Sequence, residues 1–175
     1  MHRTVATLFL VLLMAACTVP YSTPATRTAP TNSQNCAYVW ATQPLPDLTE
    51  KVQAAINAAG LAGVNATAEA FGENCIDPQT NKTRSFATME TDFHITAKVT
   101  DLTNTDNLGK LLEKILPVLD GFPVGKIPGP QPGNINISFQ AGAAESNLSF
   151  TAAAGKSARQ LGLQGAALFE ELQKK

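Results

Sequence analysis

The chain has 175 residues, 44% hydrophobic and 15% charged, and its 13 basic and 14 acidic side chains leave a net charge of −1. So small and balanced a charge, with no basic block and no interleaving of basic with aromatic residues, argues against nucleic acid as a partner. Three cysteines are an odd number for an oxidising compartment, so the pattern needs either a free thiol or a modified one.

The first segment has the parts of an export leader. Arg3 supplies a thin charged end, and an apolar run follows from Val5 to Met14, broken only by Thr7. That run is about ten residues, half of the roughly 20 needed to cross a bilayer as a helix. It closes on Met14-Ala15-Ala16-Cys17, which resembles the lipobox of bacterial lipoproteins, with Met at the position usually held by Leu. The resemblance covers residues 1–17 alone. It implies that 1–16 is a signal peptide and that Cys17 becomes the mature N-terminus, carrying a diacylglycerol thioether. Buried methylenes contribute about 0.8 kcal/mol each, so two or three acyl chains hold where one leaks. The lipid bilayer is then a partner through acylated Cys17. The protein is expected outside the cytoplasm, anchored to the cell membrane or, in a diderm organism, to the outer membrane. By analogy with diderm lipoproteins, Thr18 in place of Asp carries no inner-membrane retention signal. Lipidation of Cys17 also leaves an even pair, Cys36 and Cys75, for a disulfide.

Residues 17–35 comprise that cysteine and a Thr-, Pro- and Ser-rich stretch whose one charge is Arg27. Such a composition buries too little surface to order itself. It reads as a tether spanning roughly 25 Å root-mean-square. Residues 36–175 then form a single globular domain of normal size. Loss of Arg3 leaves 12 basic and 14 acidic residues, a net charge of −2.

Ala37 to Thr42 is β-prone and stops at Pro44 and Pro46. Asp47 with Glu50 three residues on resembles a capping box. Leu48, Val52, Ala55, Ile56 and Ala59 then recur at helical spacing, and Gly60 sits where a helix ends in the left-handed conformation. Val64 to Phe71 alternates as a strand, and Gly72 to Ser85 reads as a polar loop. Phe86 to Val99 is the clearest strand: Ala87, Met89, Thr91, Phe93, Ile95, Ala97 and Val99 share one face, and Thr88, Glu90, Asp92, His94, Thr96 and Lys98 the other. A second helix begins near Asn104 to Asp106, with Leu108, Leu111, Leu112, Ile115, Leu116 and Leu119 as its stripe and Pro117 to kink or end it. Gly121 to Gly133, with four prolines and four glycines, is a loop, either a plain connector or a carrier of binding residues. Ile135 to Gln140 and Asn147 to Thr151 make a hairpin. A last helix starts near Ser157, with Gln160 completing a capping box.

The order β-α-β-β-α-β-β-α predicts an α+β fold. It is a two-layer sandwich with a mainly antiparallel sheet and helices on one face. A Cys36–Cys75 disulfide closes about 40 residues, a stabilisation of roughly 4 kcal/mol in the chain-entropy model. It conflicts with a helical crossover, which makes the first two strands parallel and puts these cysteines a strand length apart, whereas the α-carbons must come within roughly 7 Å. Either the loop after Phe71 folds back, or the segment before Tyr38 does, or residues 37–42 are not a sheet strand.

The chemistry-bearing residues are few. His94 shares a strand face with Glu90 and Asp92, but a zinc site wants three or four well-placed ligands, usually His or Cys, so no metal is assigned. No Gly-x-Ser-x-Gly elbow supports a catalytic serine, and no catalytic residue is assigned. Ala154-Gly155-Lys156-Ser157 sits as the end of a phosphate loop does, yet Phe150 stands where that loop needs glycine. Nucleotide and other cofactors are therefore not expected. Tyr38 and Trp40 read as core, with a sugar or peptide site as the alternative. The polar residues Thr88, Glu90, Asp92, His94, Thr96, Asn136, Ser138 and Gln140 form a candidate binding face for an envelope protein or glycan. The expected function is a non-catalytic, membrane-anchored binding module of the cell envelope. The alternatives are an envelope hydrolase working through carboxylates such as Glu69, Glu90 and Asp92, and a structural envelope protein with no small ligand.

Overall fold

Nine elements account for most of residues 36–174, the part of the chain that this computed structural model describes; the leader, Cys17 and the tether lie outside the described residues. In chain order they are β1 (Ala37–Pro44), α1 (Pro46–Ala58), β2 (Val64–Ile76), β3 (Thr83–Lys98), α2 (Thr105–Leu119), β4 (Gln131–Ala141), β5 (Ala144–Thr151), α3 (Ala152–Gln160) and α4 (Gly165–Gln173). The sheet order is β1-β2-β3-β4-β5. All neighbouring pairs are antiparallel except β3 and β4, which α2 joins by a crossover. The fold is α+β, and the sheet curls into a half-barrel.

One face of the sheet and all four helices share a single core. Val64, Ala66 and Ala68 of β2, Phe93, Ile95 and Ala97 of β3, Ile135, Ile137 and Phe139 of β4, and Leu148 and Phe150 of β5 point into it. From the helices come Val52 and Ile56, the α2 stripe from Leu108 to Leu119, Ala154 and Ala158, and Leu168, Phe169 and Leu172. The helices therefore lie on one side, as the strand alternation requires. Among the described residues no helix is long and apolar enough to cross a membrane.

The conflict over the disulfide is resolved in a way the sequence reading did not consider. β1 is a sheet strand, but it runs antiparallel to β2 and pairs only with Glu69 to Ile76. α1 continues in the direction of β1 along the rest of the β2 edge. There its side chains take the place of a strand: the Ala66 amide donates to Gln53 Oε1 (2.7 Å), Gln53 Nε2 donates to the Val64 carbonyl (3.1 Å), and the Ala68 amide donates to Thr49 Oγ1 (2.9 Å). Thr49 and Gln53, four residues apart, project from the same side of the helix. The chain reverses once, at Gly60 and Gly63, both at positive φ. Tyr38 thus sits opposite Cys75, and the Cys36 and Cys75 α-carbons are 5.0 Å apart in a disulfide.

Other boundaries differ from expectation. α1 begins at Pro46 with Leu45 as N-cap and no side-chain cap, so Asp47 lies in the first turn and the Asp47–Glu50 capping box does not form. Proline's fixed φ suits that first position. The supposed loop from Gly72 to Ser85 is mostly strand: β2 runs to Ile76, β3 starts at Thr83, and the turn between them is short. Asp77 organises that turn. It accepts from the Gln79 and Thr80 amides and pairs with Arg84, and the Arg84 guanidinium, foremost, pulls its pKa down to about 2.

α2 is capped by Asn104, whose side chain accepts from the Asn107 amide, and it runs past Pro117 to Leu119. Pro117 is exposed and in the last turn, where its missing N–H costs a single helical bond. β4 and β5 meet at a two-residue turn with Gly142 at positive φ, a position glycine favours. The last expected helix is two. α3 starts at Ala152, capped by Thr151 rather than by Ser157, and Gly162 at positive φ separates it from α4, whose first residue Gly165 is also at positive φ. Gly165 faces Gly109 of α2 so closely that a side chain on Gly109 collides with the Gly165 carbonyl, and the Gly165 amide donates to Glu113 Oε1 (2.6 Å).

Candidate functional site

Most of the polar residues expected on one face of the sheet share it. His94 pairs with Asn136 across β4 and with Thr67 across β2, and Thr96 pairs with Ser138 and Asn65. Gln140 lies beside Lys98 at the end of the same ladder. A shallow depression of about 400 Å³ opens there, lined by His94, Thr96, Asn136, Ser138, Asn147 and Ser149. Ser149 Oγ donates to Asn136 Oδ1 (2.7 Å), and Ser138 Oγ is buried without a hydrogen bond among the described residues. Thr88 does not belong to this row. A register shift between Phe71 and Gly72 pairs Phe71 with Glu90 but Gly72 with Thr88, so the alternation from Thr96 to Glu90 breaks before Thr88.

The acids of this face each have a local explanation. His94 Nε2 lies 2.9 Å from Glu69 Oε1. Asp92, only 9% exposed, accepts from the Asn134 amide (2.6 Å) where the β3–β4 register shifts between Thr91 and Phe93. A ladder irregularity leaves an amide unpaired, and the Asp92 carboxylate takes it. Gly133 is obligatory beside it, since a Cβ there runs into the Thr91 carbonyl and Asp92 Oδ1. Glu90 receives a long hydrogen bond from Asn134 Nδ2 (3.4 Å), and burial, followed by the charge of Asp92, pushes its carboxyl above the usual range. Among the described residues no three His, Cys, Asp or Glu side chains are grouped to hold a metal ion.

Tyr38 and Trp40 are not core residues. They are 66% and 56% exposed on the edge strand β1, and the Trp40 ring stacks on Phe71 with centroids 5.3 Å apart and planes 9° from parallel.

A second concavity lies elsewhere, on the helix side. It is a cavity of about 550 Å³ between the sheet, the end of α2, the segment 121–130 and the first turn of α3. Phe93 and Ile135 form its floor; Leu116, Leu119, Phe122 and Ile127 form one wall; Ala152, Ala153 and Gly155 form the other. The space exists because α3 opens with small residues, so its first turn faces large aliphatic side chains without filling the gap. Gly155 packs on Phe150, where even a Cβ comes within 3.0 Å of the ring.

The segment over the cavity is fastened. Thr91 Oγ1 donates to the Pro128 carbonyl (2.7 Å), Gly129 lies on the β3 backbone at Met89 and Glu90, and Val124 bridges to Ile127. At the rim, Asp120 pairs with Arg159 of α3. Lys156 also lines the cavity and has no ion pair among the described residues. Sequence reasoning named Gly121 to Gly133 as a loop that either connects or binds, and Lys156 only within a rejected phosphate motif. The signal it passed over is the run Ala152-Ala153-Ala154-Gly155 at a helix start, opposite a proline-rich span.

No known protein family, no curated protein and no solved structure matches this chain.

Proposed function

We propose that this chain is a lipid-anchored, extracytoplasmic, non-catalytic binding module of the cell envelope that holds an apolar small molecule between α2 and α3. The observation that carries the reading is the 550 Å³ cavity with apolar walls, which falls within the range of roughly 300–1,000 Å³ typical of small-molecule sites. The lipobox-like leader ending at Cys17 supports the anchor, and the Cys36–Cys75 disulfide supports an oxidising compartment. The cavity is bounded by fastened segments, so little ordering entropy is lost when a ligand enters.

The test has two parts. Cys17→Ser is expected to move the protein from the membrane to the soluble fraction. The soluble full-length chain is expected to bind the neutral fluorophore N-phenyl-1-naphthylamine at one site, and Ala153→Trp, which fills the cavity from an exposed position, to abolish that binding. Retention of Cys17→Ser in the membrane overturns the anchor, and equal binding by Ala153→Trp overturns the site.

One observation favours a second reading, a carboxylate-dependent hydrolase. Glu90 is held toward its protonated form by burial and by Asp92, as a general acid requires. Envelope-polymer hydrolysis lost in Glu90→Gln supports that reading; no hydrolysis by the wild type removes it.

A further inference from the structure

We infer that the ligand is an amphiphile with one anionic head group, its chain in the cavity and its head at Lys156; this rests on the binding reading above. The apolar floor and walls exclude a charged or strongly polar body, which has no partner there. Thr91 faces the cavity, but its hydroxyl donates to the Pro128 carbonyl. Asp120 is at the rim, but its charge is matched by Arg159. Lys156 is the one basic lining residue, it is exposed, and it pairs with no acid among the described residues. A lysine stem lies along apolar surface while its ammonium stays in water. An acid bound here therefore keeps its head hydrated and paired while only methylenes enter. A cation at that position meets the uncompensated charge of Lys156, and a neutral head gains nothing from it. Carboxylate and phosphate share this chemistry, the first from a free fatty acid and the second from a phospholipid-derived head.

The experiment uses the full-length Cys17→Ser chain with its disulfide formed and compares dodecanoate, dodecyl phosphate and dodecanol as displacers of N-phenyl-1-naphthylamine. An exposed ion pair contributes a factor of about two to five. Lys156→Gln is expected to weaken dodecanoate, dodecyl phosphate or both by about that factor and to leave dodecanol unchanged. Lys156→Arg is expected to restore the difference, and about 1 M salt to erase it in the wild type. The anion that loses more in Lys156→Gln names the source. If all three displacers bind but Lys156→Gln changes none of them, the anionic head is wrong and the apolar site stands. If none of the three displaces and the fluorophore itself does not bind, the binding reading falls and takes this inference with it.

Discussion

The two halves of the sheet are built on different principles. In the half backed by helices, alternate residues from Val64 to Ala68, Phe93 to Ala97 and Ile135 to Phe139 are at most 4% exposed. In the other half, β1 pairs with the far end of β2, which pairs in turn with the far end of β3, and the β1 residues are nearly all exposed. Apolar burial holds the first half. The second is held by backbone ladders, the Trp40–Phe71 stack, the Asp77 turn and a disulfide. A three-stranded ribbon that stands outside the shared core is weak alone, and the cross-link sits at its far end. The cavity of about 550 Å³ lies at the end of the helix-backed half, where α2 has stopped and α3 is too slight to fill the space.

The largest effect should come from emptying the backed half. Phe139→Ala removes a ring that is fully buried and packed against Phe169. It is expected to cost about 3–5 kcal/mol in urea unfolding. A loss below about 1 kcal/mol would show that this half is not held by its core.

Breaking the cross-link should act almost as strongly but in the other half. The cysteines are 39 residues apart, so replacing both with serine should cost about 4 kcal/mol. Hydrogen exchange should quicken first at Gly72 to Cys75 and Ser85 to Thr88, with Phe93 to Ala97 still protected. Uniform quickening would mean that the two halves unfold as one unit.

A smaller effect is expected where they join. Gln53→Ala strips the Ala66 amide and the Val64 carbonyl of their partners and should cost about 1–3 kcal/mol. Gln53→Glu keeps only the acceptor and should recover the Ala66 bond alone, an intermediate loss in the same assay.

The smallest effect tests the bare face. Glu90 has a folded-state pKa above its ordinary 4.5. The fold therefore favours the protonated acid, and that advantage is complete below the unfolded value and lost as pH rises through the folded pKa. Glu90→Gln should stabilise the protein at about pH 7 by less than about 1 kcal/mol and have no effect near about pH 3. Destabilisation at the higher pH would show that the charged form is the one the fold holds.

The same contrast explains what could be read from the sequence. Where a strand has one buried face, alternation is visible, and β3 from Phe93 onward, the hairpin and the α2 stripe were legible. Gly60 marked the end of α1 because a left-handed position favours glycine. The distal ends of β2 and β3 were read as loop because Gly72, Glu73, Asn74 and Ser85 carry no apolar rhythm; the pairing there is backbone only. The direction of β1 was hidden because it depends on Thr49 and Gln53 standing in for a strand. These are two polar residues on a helix, which normally read as solvated. Thr88 was assigned to the wrong row because a bulge is a backbone event with no side-chain signature. The polar face was anticipated because it is the complement of the buried one. The cavity was not, since it is defined by the small size of Ala152, Ala153 and Gly155 opposite residues some 20 to 60 positions earlier in the chain.

The most direct measurement is the native mass of the protein recovered from its host membranes in mild detergent, taken for the wild type and for Ala153→Trp. A chain beginning at acylated Cys17 is predicted in both, with one non-covalent anionic amphiphile on the wild type and none on the variant. An unacylated chain, or the same bound species on both proteins, would contradict the account.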